Sequence, residues 1–404
     1  MRRVVITGVG LVSVLGTSRE QVANALYNGV SGIVADPQRL EQGFRSPLTG
    51  RIQGFDCARH LNRKQRKSMP DFAIQAHAAT LDALDQAGLA PEDLRSDRCG
   101  LVFGNDSTVQ SVVDQQAALL EAGCTSGMGS GHVFRCMNST ITMNLNVLLG
   151  NTGPSWTVSA ACASGAYAIG QAADQIRLGR LDRVVCGAAQ EVNWPSVCSF
   201  DGLGAFSART PAEAASRPFD KGRDGLVPSG GAAALLLEDY DTARSRNACI
   251  LAEVLGFGCS ADGETLSVPS RTGLARAMRM ALTEGGLSAA DVDIVNAHAT
   301  STPQGDAAEA ANLRAVFGAD CPDVMALKSL TGHELWMSGA SQVAYAVIMA
   351  QAGFTAATIN YEEPDEDTAG IPVLTHRLEQ PPRVVLNNAA GFGGSNASIV
   401  LRFA

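Results

Sequence analysis

The chain has 404 residues, 46% hydrophobic and 18% charged, which is enough apolar material for two or three domains with large cores and excludes a fibrous or disordered protein. Its formal net charge of −9 argues against nucleic acid or an anionic membrane surface as a main partner. No stretch approaches about twenty uninterrupted apolar residues, and Met1-Arg2-Arg3 runs straight into a strand pattern, so a cytoplasmic protein is expected.

From the N-terminus, Val4–Thr7 reads as a strand, and about residues 30–60 read as an irregular surface excursion. Arg63-Lys64-Gln65-Arg66-Lys67 sets four cations in five residues on an acidic chain. It is either a solvated helix start or a landing patch for an acidic partner. Asp71–Gln86 has helical periodicity and is stopped by glycine; Cys99–Phe103 follows as a strand. Ser155–Ser159 is a strand feeding a helix over Ala161–Leu178, with Cys162 at the turn between them. The run Thr157 to Ala166 around that cysteine is nearly all small residues, which leaves room for a substrate. At such a turn the helix dipole and unpaired N–H groups favour thiolate, so a lowered pKa is expected of Cys162, and a nucleophilic role stands beside the plain reading of a buried packing cysteine. Most of the ten cysteines have an ordinary packing role in prospect; no CxxC or zinc-ligand spacing occurs, so reduced thiols are expected. Arg183–Cys186 and Ala232–Leu237 follow as strands, and polar Glu238–Asn247 reads as a join. Beyond it come strands at Ile250–Gly256, Ile294–Ala297, Ala326–Leu327, Val384–Asn388 and Ala397–Phe403, with a helix over Gly273–Glu284.

The chain repeats itself. Ala83 to Leu94 resembles Ala281 to Val292, each following an amphipathic helix and preceding a strand. Thr7-Gly8-Val9-Gly10 is echoed by Leu255-Gly256-Phe257-Gly258, and Ser164-Gly165-Ala166 by Ser338-Gly339-Ala340. The matches fall in the same order, so a duplicated α/β protein with halves 1–247 and 248–404 is expected.

The second half carries chemistry at element ends. His298 leaves an apolar strand and is followed by Ala299-Thr300-Ser301-Thr302; Lys328 and His333 leave another; Gly391-Phe392-Gly393-Gly394-Ser395-Asn396 joins two strands. Each has a plain structural reading as a hydrogen-bonding histidine, an ion-paired lysine or a tight hairpin. Metal binding by Cys162, His298 and His333 matches no usual spacing and lacks a fourth ligand.

Together with Pro218-Phe219-Asp220-Lys221-Gly222-Arg223-Asp224-Gly225, these motifs resemble the β-ketoacyl-ACP synthases (ketosynthases), and most of all their KAS I branch, nearly end to end. The resemblance implies a thiolase fold, five layers αβαβα from two duplicated halves, and a dimer. It implies a decarboxylative Claisen condensation in fatty-acid or type II polyketide or polyene synthesis. Cys162 would carry the acyl group, His298 and His333 would stabilise the malonyl enolate, and the backbone N–H groups of Cys162 and Phe392 would form the oxyanion hole. Lys328 would organise the site as the ion-pair partner of Glu309. Thr300 and Thr302 would bind the phosphopantetheine arm, Phe392 would gate the site, and Arg63, Lys64 and Lys67 would meet the acyl carrier protein. No cofactor and no metal is implied, because substrates arrive on the carrier.

This chain departs from the family's pattern at three places: Ala299 stands for a glycine, Glu334-Leu335-Trp336-Met337 replaces small residues, and residues 104–110 are unusually polar. In the repeat alignment Trp336 falls opposite Cys162, where an indole should reshape the packing beside the pocket. Of the rival readings, a CoA-dependent thiolase would carry a second cysteine near the C-terminal glycine turn, and none follows Cys321. A non-catalytic chain-length factor would have lost the nucleophile, which is kept; pairing with such a factor in a heterodimer stays open beside a homodimer.

Overall fold

Strands alternate with helices along the computed structural model, which describes residues 1–403. In chain order the strands are β1 (Val4–Val12), β2 (Ile33–Ala35), β3 (Leu48–Gly50), β4 (Cys99–Gly104), β5 (Ser155–Val158) and β6 (Arg183–Gln190). They continue with β7 (Gly231–Asp239), β8 (Ala252–Ala261), β9 (Ile294–Asn296), β10 (Asp323–Met325), β11 (Val384–Gly391) and β12 (Ser395–Arg402). Apart from the small β2–β3 pair, the strands join in the order β10-β9-β11-β12-β8-β1-β7-β6-β4-β5.

That order reads the same from both ends. Taking each five-strand set in chain order, the third strand is outermost, then the second, fourth, fifth and first. Pair directions match as well: first–fifth and fifth–fourth are antiparallel, while fourth–second and second–third are parallel in both sets. The two sets touch along a short antiparallel seam, Val4–Ile6 of β1 on Ala252–Val254 of β8.

Alternation along each strand sends side chains to two different cores. In β7, Ala233, Leu235 and Leu237 enter a central cluster shared by both sets, while Ala232, Ala234 and Leu236 pack outward. Helices Ser164–Arg177 and Ser338–Ala352 fill the central layer and pack on each other. Asp71–Gln86 and Thr140–Leu149 cover the outside of one set; Gly273–Glu284 and Pro303–Phe317 cover the other. The layers are therefore αβαβα.

The glycine echoes have a steric cause. A Cβ on Gly8 or Gly10 would lie 2.0 or 1.9 Å from the carbonyl oxygens of Ala83 and Ala79; on Gly256 or Gly258 it would lie 2.0 Å from those of Ala281 and Ala277. Helix and strand are that close in both sets, and side chains are excluded. The two central helices cross at Gly165 and Gly339, where an added Cβ would stand 2.7 Å from Ala340 N and 2.5 Å from Ala166 N respectively.

Two local expectations fail. The strand expected at Ala326–Leu327 is instead β10, three residues earlier, because Ala326 N turns aside to donate to Thr358 Oγ1 and Leu327 leads into the helical turn Lys328–Thr331. The 30–60 excursion is partly interior: Ile33, Arg39 and Leu48 are buried, and Phe44 joins the apolar cluster that holds Cys162.

Candidate active site

Cys162 sits on a sharp elbow. Ala161 is held in the left-handed region at φ +47°, a conformation that costs free energy for a residue with a side chain and recurs at functional turns. Its N–H donates to Asp106 Oδ2 at 2.9 Å, and Asp106 also accepts from the Ser159 hydroxyl. Ser164 Oγ accepts from Ala160 N at 2.8 Å and donates to Ala161 O at 2.6 Å, closing the turn. The helix proper starts at Ser164, two residues after the cysteine.

The expectation of a lowered thiol pKa is overturned. Cys162 is only 5% exposed, and burial pushes its pKa up to about 12, against the opposing pull of Lys328 and of the backbone N–H groups of Cys162 and Phe392. Desolvation outweighs the dipole, so the thiol keeps its proton at rest and needs an acceptor. His333 Nε2 lies 3.2 Å from its sulfur, and His333 Nδ1 lies 3.1 Å from Ser338 Oγ. With Nδ1–H donating to Ser338, Nε2 is free to take the thiol proton.

His298 packs its ring against His333 edge to face, with centroids 5.2 Å apart. Both rings are buried, and burial first, then the Lys328 charge, holds their pKa values well below the ordinary histidine value. Both are therefore neutral imidazoles at physiological pH. Glu309 fixes the backbone beneath His298: its two oxygens accept from His298 N at 2.9 Å and Ala299 N at 2.6 Å, and Asn388 Nδ2 adds a third bond at 3.1 Å. Ala299 avoids the left-handed region, so a glycine is not required there.

Lys328 is 2% exposed, and burial pulls its pKa down to about 8. It is not ion-paired with Glu309, as the resemblance implied: its Nζ donates to Gln342 Oε1 at 3.2 Å, while Glu309 is committed to backbone amides and acts on the lysine only through space.

A cavity of about 480 Å3 opens onto this cluster, lined by Cys162, His298, His333, Thr300, Thr302 and Phe392. Thr300 and Thr302 turn their hydroxyls to each other at 2.9 Å across Ser301, itself left-handed at φ +67°. Phe392 is 42% exposed and stacks on Phe200 at 5.7 Å, and Phe200 packs in turn on Phe206 and Trp336 at 6.4 Å each. Gly391 backs the elbow; a Cβ there would lie 3.0 Å from Cys162 N. Arg63, Lys64 and Lys67 are exposed and do not line this cavity.

Residues 1–243 match the N-terminal domain of β-ketoacyl synthase and residues 251–362 its C-terminal domain. The chain is 36% identical to 3-oxoacyl-[acyl-carrier-protein] synthase 1 of Escherichia coli (strain K12), over 100% of this chain and 99% of that protein. It belongs to the β-ketoacyl synthase family. The Haemophilus influenzae synthase 1 is likewise 36% identical, covering 100% of this chain and 99% of the relative. Among solved structures, a β-ketoacyl synthase from Burkholderia phymatum superposes with a TM-score of 0.95 at 34% identity, covering both chains fully. The ishigamide ketosynthase/chain length factor gives 0.91 at 32% identity, covering 100% of this chain and 99% of that one.

Within this synthase, several neighbours of the site were not among the sequence-derived candidates. Asp106 braces the elbow; Glu191 accepts from Ser107 Oγ at 2.8 Å and Val109 N at 2.9 Å, which explains the polar 104–110 segment. Ser338, Ser341, Gln342 and Tyr345 share one face of a buried helix, a polar stripe that sequence alone shows only as breaks in an apolar run. Trp336 occupies the position equivalent to Cys162 in the second half: Leu335 before it is left-handed at φ +43°, as Ala161 is before the cysteine. The same elbow thus holds a thiol once and an indole once.

Proposed function

We propose that the chain, as two duplicated halves 1–247 and 248–404, condenses an acyl group held on Cys162 with a malonyl thioester delivered by acyl carrier protein. The observation that carries this reading is Cys162 Sγ 3.2 Å from His333 Nε2, at the floor of a cavity that His298 also lines. In the first step the Cys162 thiol attacks the acyl-carrier thioester, its proton passes to His333 and on to the departing carrier thiolate, and an acyl-Cys162 thioester forms. Malonyl-ACP then binds, its arm hydrogen-bonded by Thr300 and Thr302. Its C–C bond to the carboxylate breaks, CO2 leaves, and the enolate oxygen takes hydrogen bonds from neutral His298 and from neutral His333 in its other tautomer, with the proton on Nε2 and Nδ1 accepting from the Ser338 hydroxyl. The enolate carbon attacks the acyl carbonyl, whose oxygen is held by the N–H groups of Cys162 and Phe392, worth about 3–4 kcal/mol per donor in comparable sites. Collapse releases the β-ketoacyl-ACP and the Cys162 thiolate, which recovers its proton. Lys328 organises the charges, Phe392 gates the arm, and no cofactor or metal takes part.

Arg63, Lys64 and Lys67 are exposed cations in a chain of net charge −9, which suits them to an acidic carrier protein. A solved type II PKS acyl-carrier protein in complex with its ketosynthase superposes at a TM-score of 0.90 with 28% identity, over 100% of this chain and 99% of that one. Exposed Val112, Leu120, Val133, Phe134 and Met137 support a subunit partner, a second copy or a chain-length-factor-like homologue, over residues 109–137. Among the described residues no helix is long and apolar enough to cross a membrane. The Trp336 indole and the polar Asp106–Gln110 segment support a specialised acyl chain, as in polyketide or polyene assembly, over housekeeping elongation.

Intact-mass measurement after exposure to a panel of acyl-ACPs, followed by malonyl-ACP, tests the reading. An acyl adduct that disappears with malonyl-ACP is expected, and Cys162→Ala abolishes it. No adduct from any acyl-ACP rejects the synthase assignment, and the mass of the purified particle separates homodimer from heterodimer.

A further inference from the structure

Helix Ser338–Ala352 is buried along almost its whole length, yet Ser338, Ser341, Gln342 and Tyr345 form one polar stripe at helical spacing. Each holds a polar group of the turn Lys328–Glu334. Ser338 meets His333 and Gln342 meets Lys328; Ser341 Oγ and Tyr345 OH donate to the two oxygens of Glu334 at 2.5 and 2.7 Å. His333 and Lys328 have roles in the condensation just described, but Glu334 has none.

A carboxyl group only 1% exposed needs an electrostatic reason to be kept, since hydroxyl donors alone do not repay the loss of its hydration. Glu334 has no cation within ion-pair distance among the described residues, and Lys328 has no carboxylate. Each is nevertheless among the charges the other feels, across the turn that carries His333. The groups facing Lys328 are Glu309 and Asp306 from helix Pro303–Phe317, Cys162 from the elbow, His298 and His333, and Glu334. Glu309 spends its oxygens on backbone amides and Asp306 on Phe219 N and Ser301 N.

We propose that Glu334 is a positioning residue for the condensation: its carboxylate, clamped by Ser341 and Tyr345 beside the Gln342 that holds Lys328, is a counter-charge that works with Glu309 to keep Lys328 protonated beside the two histidines. The inference rests on the synthase reading above. A protonated Lys328 keeps His298 and His333 neutral and favours the Cys162 thiolate as the sulfur gives up its proton. Burial raises the Glu334 carboxyl to about 7, so it is ionised in the alkaline range where Lys328, pulled down to about 8, loses its proton. Removing the Glu334 charge therefore moves the lysine's titration to lower pH.

The test is the pH profile of malonyl-ACP decarboxylation and condensation for the full-length protein, between about pH 6 and 9.5. Glu334→Gln should keep the wild-type melting temperature within a few degrees and shift the alkaline limb down by roughly one pH unit, the size expected of a nearby opposite charge. Glu334→Asp should restore the limb. Tyr345→Phe keeps the carboxylate and should leave the limb in place; a shift as large as that of Glu334→Gln would mean disturbed packing and overturn the proposal. Should Glu334→Gln not fold, Gln342→Glu puts a carboxylate directly on Lys328, and the limb must rise. An unmoved limb in either charge variant rejects the role of Glu334, whereas wild-type protein inactive with every acyl-ACP rejects the synthase reading itself.

Discussion

Replacing Trp336 probes a large side chain in the apolar cluster that holds the nucleophile. It is 8% exposed and packs with Cys162, Phe44, Val197, Phe206 and Leu226, and its indole N–H has no hydrogen-bond partner. Truncating a buried tryptophan to alanine costs about 3–5 kcal/mol, and losing an unpartnered buried N–H returns about 1–3 kcal/mol. Trp336→Ala should therefore lose about 2 kcal/mol. Trp336→Phe removes roughly 40 Å3, about 1 kcal/mol at the usual cavity cost, and also removes the N–H, so it should fall within about 1 kcal/mol of wild type. Urea unfolding measures both. Trp336 stands behind Phe200, which lines the cavity, so the same alanine variant should let that wall recede and the acyl-ACP panel read by intact mass should extend to bulkier chains. If Trp336→Phe loses as much as Trp336→Ala, the indole N–H is satisfied and the reasoning fails. If Trp336→Ala leaves both stability and acyl range unchanged, the indole does not support the Phe200 wall.

Gly339→Ala places a methyl 2.5 Å from Ala166 N at the crossing of the central helices, so it should destabilise by about 1–3 kcal/mol or more and slow Cys162 acylation, while Gly202→Ala, with open space around it, should be near neutral in the same melting assay. Alkylation of Cys162 should accelerate with rising pH because its thiol pKa is pushed up to about 12; Lys328→Met removes a cation that favours thiolate, so below about pH 8, where Lys328 is protonated, the variant should alkylate more slowly, as peptide mass mapping with iodoacetamide will report. Charge reversal at Arg63, Lys64 and Lys67 together should raise KM for acyl-ACP about tenfold with kcat little changed, and leave turnover of a carrier-free thioester mimic untouched.

Much of the fold was legible because duplication leaves short-range signatures. Gly8, Gly10, Gly256 and Gly258 stand out in sequence, and the close helix–strand contact that demands them is local to each half. Cys162, His298, Lys328 and His333 were legible for a related reason: each lies at the end of an element whose periodicity can be counted. Their mutual arrangement was not. The Lys328–Glu309 ion pair fails because Glu309, eleven residues beyond His298 on the next helix, reaches back to the backbone first. The strand expected at Ala326–Leu327 fails because Thr358, far along the chain, captures Ala326 N.

By itself the sequence determined the α/β alternation, the two-fold repetition and the chemical identity of the groups that meet, since these depend on side-chain period, steric minimum and residue type. The state of those groups was decided only by tertiary structure. The thiol of Cys162, read from its turn as acidified, is held protonated because the packing of both halves removes it from water, and desolvation outweighs a helix dipole that begins two residues away. Glu334, silent in the sequence beyond its departure from the family pattern, gains a role only when helix Ser338–Ala352 brings Ser341 and Tyr345 against it. Burial and long-range contact set the charge of each group, and neither can be counted along a chain.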